Sequence, residues 1–77
     1  MTFREFEKAL RITCDAEADA AYIYLRPIAA GGVAQTIPVD VSPLNGSVNL
    51  DVDSNGRIIG IEIIGASALL PEELLGE

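Results

Sequence analysis

The stretch DVDSNGRIIGIE at residues 51–62 decides the fold, because it fits two incompatible local structures. It matches the calcium-loop pattern D-x-[DN]-x-[DN]-G-x₅-E at every specified position. It also carries Asn55-Gly56 between two runs of alternating apolar residues, and Asn-Gly is the strongest short-range signal for a β-hairpin turn because both residues tolerate positive φ. The two interpretations are therefore a calcium loop and a β-hairpin.

The apolar positions on both sides of the turn favour the hairpin. A two-residue turn would pair Ser54 with Arg57 and align three apolar pairs across the strands: Val52 with Ile59, Leu50 with Ile61, and Val48 with Ile63. A slip of one residue would place these rows on opposite faces, so the pattern specifies the register. A calcium loop of the EF-hand type needs an entering helix, whereas Pro43 and Gly46 lie in the preceding segment.

In this hairpin Asp51, Asp53 and Glu62 share a face, with Asp51 diagonal to Glu62. Neighbouring carboxylates shift each other's pKa values and are the groups used in acid–base chemistry. On an open hairpin they are more typical of a solvated face. We therefore predict no catalytic residue, no cofactor and no functional metal site. The alternative is a small enzyme or metal-binding protein that uses this acidic face.

The preceding segment predicts a second hairpin. A loop at residues 16–19 would align three pairs on one face: Cys14 with Ala21, Ile12 with Ile23, and Leu10 with Leu25. With no histidine to activate it, Cys14 is predicted to be a buried structural residue. Residues 33–41 form a third extended run, in which Pro38 cannot donate to a ladder and so indicates an edge or an interruption. The pattern does not predict where this third strand lies in the sheet.

Both ends of the chain have helical features. Phe3, Phe6 and Leu10 have helical spacing, which predicts a short N-terminal helix or a tail that docks the two aromatic rings. Ser67 as a cap and Pro71 in a first turn predict a C-terminal helix.

The whole sequence thus predicts one α+β domain over residues 1–77. It comprises an N-terminal extension at 1–9, an antiparallel four- or five-stranded meander sheet at 10–65, and a helical tail at 66–77.

Size and charge limit the classes of function. A chain of 77 residues with a single cysteine forms no internal disulfide, and such small folds gain stability from partners. A net charge of −7 repels phosphates and anionic lipids, so neither nucleic acid nor membrane is expected as a partner. The N-terminal sequence has no secretory features, and no apolar run is long enough to span a bilayer. A cytoplasmic protein is expected.

The last strand predicts a partner. Ile59, Ile61 and Ile63 lie on one of its faces, and Ile58 and Ile64 lie on the other. A small sheet that is apolar on both faces must cover both, one with the helix and the other with a second copy of the chain. We therefore expect a homodimer.

Three segments together resemble a known family: TCDAEADAAYIYL at 13–25, VAQTIPVD at 33–40, and LDVDSNGRIIGIEIIGAS at 50–67. Family members open with aromatic-Asp-x-x-x-D-A-x-Y-I-x-L and close with D-x-D-G-x-x-x-G-I-E-I-L-x-A-S. The matching positions here are Asp15, Asp19, Tyr22, Ile23, Leu25, Asp53, Gly56, Gly60, Ile61, Glu62, Ile63, Ala66 and Ser67. The sequence thus resembles the small bacterial proteins of domain-of-unknown-function family 2283 over residues 11–67. It departs from them at Cys14, where an aromatic residue is usual, and by one extra residue in the turn.

The resemblance implies a small antiparallel sheet with a helix that associates with itself, and it supplies no catalytic residue. Because members of the family occur beside small toxin-like genes, it also suggests an antitoxin-like role. With the net charge of −7, a basic protein is then the expected partner.

Overall fold

A computed structural model describes residues 2–76, which form five β-strands followed by two short helical segments. The strands are β1 (Arg11–Asp15), β2 (Ala20–Tyr24), β3 (Gln35–Val39), β4 (Ser47–Val52) and β5 (Ile58–Ile64). They are followed by helix α1 (Ala66–Leu69) and a 3₁₀ turn (Glu72–Leu74). All neighbouring strands are antiparallel. The predicted class, an α+β fold with an antiparallel sheet and a C-terminal helix, is confirmed, and the sheet has five strands.

The strand order is β1-β2-β5-β4-β3, so the sheet is a meander only from β3 to β5. After β2 the chain crosses to the far edge of the sheet before it forms β3. Two backbone hydrogen bonds hold the crossing segment at one end of the central strands, from Leu25 N–H to the Ile59 carbonyl (3.0 Å) and from Ala34 N–H to the Val52 carbonyl (2.8 Å). Pro38 lies in β3, and this edge position tolerates a residue without an N–H group.

The first hairpin has the predicted register. Cys14 pairs with Ala21 and Ile12 with Ile23, and the two strands meet at the turn as predicted. Leu10 and Leu25 lie just outside the strands, so their predicted pairing is not part of the ladder. Cys14 is exposed, which corrects its prediction as a buried residue. It lies on an edge strand, where only one neighbouring strand can shield it.

The second hairpin keeps two of its three predicted apolar pairs, Val48 with Ile63 and Leu50 with Ile61. At the turn, however, Asp53 N–H bonds the Arg57 carbonyl at 2.9 Å, so the loop has three residues and not two. That change shifts the register by one residue and pairs Val52 with Ile58. A β-bulge at the next position, in which Ile59 is the extra residue, restores the original register.

The turn uses Gly56 alone in the left-handed region, with φ of 79°, and Asn55 does not share this conformation. The predicted two-residue Asn-Gly turn is therefore wrong, although the hairpin itself is correct. The bulge also corrects the predicted second apolar face. The extra residue in the bulge interrupts the alternation of side chains along β5. Ile58 and Ile64, which lie on either side of the bulge, therefore do not share one face of the strand.

The ends of the chain are less helical than predicted. Residues 2–10 form no helix, and Phe3 and Phe6 are 84% and 68% exposed, so the rings are not docked. The C-terminal helix stops after four residues, because Leu70 precedes Pro71 and is extended, with φ −112° and ψ 149°. Met1 and Glu77, at the outer limits of the predicted extension and tail, lie outside the described residues.

Helix α1 is capped by a residue from the first hairpin and not by Ser67. Gly65 occupies the N-cap position, and the Asp19 carboxylate accepts the Ser67 N–H at 2.9 Å and the Ser67 hydroxyl at 2.8 Å. The Asp19 backbone carbonyl also accepts the N–H groups of Gly65 and Ala66. Asp19 therefore fixes the start of the C-terminal segment against the turn between β1 and β2.

Strand alternation gives the sheet two unlike faces. The apolar face carries Ile12, Cys14, Ala21, Ile23, Ile37, Val39, Val48, Leu50, Ile61 and Ile63, and the polar face carries Arg11, Thr13, Tyr22, Tyr24, Thr36, Asn49, Asp51, Gly60 and Glu62. The C-terminal segment packs on the apolar face through Ala66 and three leucines, around buried Ala21 and Ile63. The edge residues Ile37 and Val39 remain exposed, so the segment covers only part of this face.

We predict that Asp19→Gly lowers the free energy of unfolding by about 1 kcal/mol, because it removes the side chain that accepts both hydrogen bonds from Ser67. Glycine adopts the positive φ at this position without strain, so the loss reports on the side chain and not on the backbone. Glu17→Gln removes the same charge from the same turn and is the control. Equal urea midpoints for the two variants would contradict the capping role.

Candidate functional site

The polar face is organised around Asp51, whose carboxylate joins three strands. Tyr22 of β2 donates its hydroxyl to Asp51 Oδ2, and Thr36 of β3 donates its hydroxyl to Oδ1 at 2.6 Å. The bond from Tyr22 crosses β5, which lies between β2 and β4. A charge-assisted network of this kind ties together strands that are not neighbours in the sheet.

Gly60 makes the crossing possible. A Cβ atom at this position would lie 2.5 Å from Tyr22 Cζ, well inside van der Waals contact. A glycine in the middle of a strand is typical of a bulge or of a close approach by a neighbouring group. Here the bulge lies at Ile59, and the group that approaches Gly60 closely is the Tyr22 ring. Tyr22 and Tyr24 pack edge to face at 4.7 Å, and the Arg11 guanidinium lies 4.6 Å from the centre of the Tyr24 ring.

Tyr22 is a hydrogen-bond donor in this network. Burial raises the pKa of Tyr22 far above its usual value, and the hydrogen bond and negative charge of Asp51 raise it further. The phenol therefore stays protonated at neutral pH, and its hydroxyl is engaged in donating to a carboxylate. Such a group stabilises the sheet and is poorly suited to act as a general base.

Asp53 forms a separate cluster at the turn of the second hairpin. Its side chain is buried, with the residue only 8% exposed, and Oδ1 accepts the N–H groups of Asn55 and Arg57 at 2.9 Å each. Oδ2 pairs with the Arg26 guanidinium at 2.8 Å. The Arg57 backbone N–H is the largest influence that lowers the pKa of Asp53, and the Asn55 N–H and the Arg26 charge add to it against the opposing effect of burial.

The structure thus divides the three carboxylates that the sequence placed on one face. Asp51 and Glu62 lie on the polar face, where Glu62 accepts the Asn49 side-chain amide at 2.9 Å. Asp53 lies beyond the strand and bonds the turn and the crossing segment. Within residues 2–76 no three His, Cys, Asp or Glu side chains are grouped so that they could hold a metal ion.

The sequence interpretation missed the partners of these carboxylates. The link from Tyr22 to Asp51 spans 29 positions, and the link from Arg26 to Asp53 spans 27. Two features indicated the first link, namely the outward tyrosines of β2 and the glycine in the middle of β5. No local signal indicated the second, because it depends on the path of the crossing segment.

A family model described as "Protein of unknown function (DUF2283)" matches residues 11–67 of the chain. The chain belongs to this family, as its resemblance predicted. No curated protein and no solved structure matches the chain. The matched region covers all five strands and the first half of α1, and so includes the polar network, the Asp53 cluster and the bond between Asp19 and Ser67. No helix in residues 2–76 is long and apolar enough to cross a membrane.

We predict that Tyr22→Phe lowers the free energy of unfolding by about 1.5–3 kcal/mol, the usual contribution of a hydrogen bond to a charged group. The ring still covers Gly60, so the change removes only the donor to Asp51. Tyr24→Phe is the matched control, because the Tyr24 hydroxyl makes no hydrogen bond within residues 2–76. Chemical denaturation should separate the two variants, and equal losses would show that the network does not stabilise the sheet.

Asp53→Asn should destabilise the protein at pH 7, and its difference from wild type should shrink as the pH falls. The pKa of Asp53 in the folded protein is lowered, so its carboxylate contributes stability above the unfolded pKa of about 3.9. That contribution is lost as the pH falls through the lower folded pKa. Thermal unfolding between neutral and acidic pH measures the difference. Glu73→Gln removes an exposed charge and should show no such convergence.

Proposed function

We propose that this protein is a non-catalytic interaction domain of the cytoplasm that forms a homodimer through the uncovered part of its apolar face. The supporting observation is that hydrophobic residues make up 49% of the chain, whereas the buried hydrophobic residues among residues 2–76 are Ala21, Val52, Ile59, Ile63 and Ala66. Two of these five are alanines, so the monomer buries few large side chains. A second copy supplies the burial that a chain of this size lacks.

The area and shape of the chain also support association. Its accessible surface is 6088 Å², whereas a folded monomer of 8.1 kDa is expected to expose about 4,500 Å². Its radius of gyration is 13.6 Å, against about 11.5 Å for a compact domain of this length. The exposed residues 2–10 and the partly uncovered sheet both add to this surface. An interface of standard size buries about 800 Å² on each partner, which is smaller than the difference of about 1,600 Å² between the two areas.

A second copy fits the chemistry of the apolar face. None of the ten residues that define this face carries a charge, although the chain has a net charge of −7. Two such faces related by a twofold axis meet without burying a carboxylate, and a twofold interface uses the same patch on both subunits. The exposed edge residues Ile37 and Val39 extend the patch beyond the area that the C-terminal segment covers.

A non-catalytic role is supported by the bonds of the acidic residues. Asp51 accepts from Tyr22 and Thr36, and Glu62 accepts from Asn49, so both are used within the sheet. Asp53 is committed to the turn and to Arg26. These bonds give each of the three carboxylates a role in holding the fold together, which supports a structural rather than a catalytic use of them.

A basic protein is proposed as a further partner, in an antitoxin-like role. Asp15 and Glu17 are exposed in the turn between β1 and β2, and Glu72 and Glu73 are exposed in the C-terminal segment. The bond from Cys14 Sγ to the Leu74 carbonyl (3.5 Å) places these two segments next to each other. The resulting acidic patch has the charge that attracts a cationic surface.

Paired substitutions on the two faces test the dimer. Ile37 on the apolar face and Ile64 beyond the polar row of β5 are 39% and 40% exposed, so glutamate at either position has a similar cost in the monomer. We expect wild type and Ile64→Glu to sediment as dimers at tens of micromolar, and Ile37→Glu to sediment as a monomer, because it buries a charge in the interface.

Circular dichroism provides the control that both variants fold. Wild-type protein that sediments as a monomer at tens of micromolar would refute the dimer. Dissociation caused by Ile64→Glu and not by Ile37→Glu would place the interface on the other face of the sheet.

A further inference from the structure

A cleft lies beside the edge of the sheet, between the segment that enters β1 and the segment that leaves β2. Its volume is about 410 Å³, within the usual range of about 300–1,000 Å³ for small-molecule sites. Eight residues line it: Lys8, Ala9, Leu10, Arg11, Tyr24, Leu25, Arg26 and Pro27. None of these residues is among the ten that define the apolar face, and Tyr24 packs against Tyr22 of the polar network around Asp51.

The charge of the cleft is opposite to that of the chain. The sequence has 5 basic and 12 acidic residues, and three of the basic ones line this cleft, namely Lys8, Arg11 and Arg26. No carboxylate from residues 2–76 lines it. Arg26 is paired with Asp53, whereas Lys8 and Arg11 have no carboxylate partner within residues 2–76, so these two cations create a local positive potential within an acidic protein.

The cationic groups retain donors for a ligand. Arg26 uses one nitrogen to bond Asp53, and within the described chain this is the only hydrogen bond of a guanidinium that carries five N–H donors. The Arg11 guanidinium lies over the Tyr24 ring, which holds its plane and leaves its edge free. Lys8 makes no ion pair within residues 2–76 and is exposed.

The remaining walls suit an apolar body. Leu10, Leu25 and Pro27 supply aliphatic surface, and Tyr24 supplies an aromatic ring. Small-molecule sites combine such walls with a few polar groups that orient the ligand. Planar guanidinium groups bind carboxylate and phosphate oxygens in pairs, so the polar groups here select an anionic head.

We propose that this cleft binds a small organic anion, in which a carboxylate or phosphate group pairs with Arg11, Arg26 and Lys8 and an apolar or aromatic body contacts Leu10, Leu25 and Tyr24. The family description assigns no ligand, and the acidic composition had suggested only cationic partners. The site gives the protein a means of recognising a metabolite independently of its association with another chain.

Backbone amide NMR of the full chain tests the site with three probes that share one ring: phenylacetate, phenyl phosphate and the neutral phenylacetamide. We expect saturable shifts for one or both anions, confined to residues 8–11 and 24–27, and no saturable shifts for the amide. Comparing the two anions identifies the preferred head group. Arg11→Gln should weaken binding about tenfold, equivalent to one charge-assisted hydrogen bond.

Arg4→Gln is the matched control, because Arg4 lies in the same N-terminal segment, is exposed and does not line the cleft. It removes the same charge, so it should change the affinity less than twofold. Dispersed amide spectra show that both variants fold. The proposal is refuted if neither anion saturates, if the amide binds equally well, or if Arg4→Gln weakens binding as much as Arg11→Gln.

Discussion

The fold depends on the way the Asp53 carboxylate closes the central hairpin. This one side chain accepts two backbone N–H groups of the turn and the Arg26 guanidinium of the crossing segment. It thereby fixes the three-residue loop between β4 and β5, which are adjacent strands in the interior of the sheet. It also fixes the path by which the chain leaves β2 and reaches the far edge. A buried carboxylate is stable here because every charge-bearing oxygen has a partner.

Other carboxylates of the chain also join segments that are distant in sequence. Asp19 connects the first turn to the start of α1, and Asp51 connects β4 to β2 and to β3. Part of the acidic composition of the chain is therefore structural. With little buried apolar volume, a sheet of this size benefits from such fixed polar links, since they specify which strands meet. The remaining exposed carboxylates give the surface its acidic character.

The sequence was sufficient to predict the elements that depend on local pattern. Alternation predicted the register of β1 with β2 and two of the three apolar pairs between β4 and β5, because the strand period of two leaves one workable register. The details of the turn were not predictable, since an Asn-Gly pair also fits a three-residue loop once Asp53 binds the loop amides. The bulge at Ile59 follows from that loop and so was missed with it.

Long-range features were the least predictable. The position of β3, the Tyr22–Asp51 bond and the basic cleft all depend on how segments cross in space. The helical spacing of Phe3 and Phe6 predicted an N-terminal helix, but residues 2–10 form none and both rings are exposed, so no packing stabilises a helix there. At the C-terminus, Pro71 divides a tail whose spacing suggested one helix.

Three surfaces are available for function: an apolar face that suits a second copy, an acidic patch that suits a basic protein, and a basic cleft that suits a small anion. The sheet that carries them depends on the stretch at residues 51–62 being a hairpin closed by its own carboxylate and not a calcium loop. Amide hydrogen exchange, measured with and without millimolar calcium, tests this most directly. We predict that the ladder amides of β4 and β5 are among the slowest to exchange, and that calcium leaves their protection unchanged. Fast exchange in these strands, with protection that appears from Asp51 to Glu62 only when calcium is added, would contradict it.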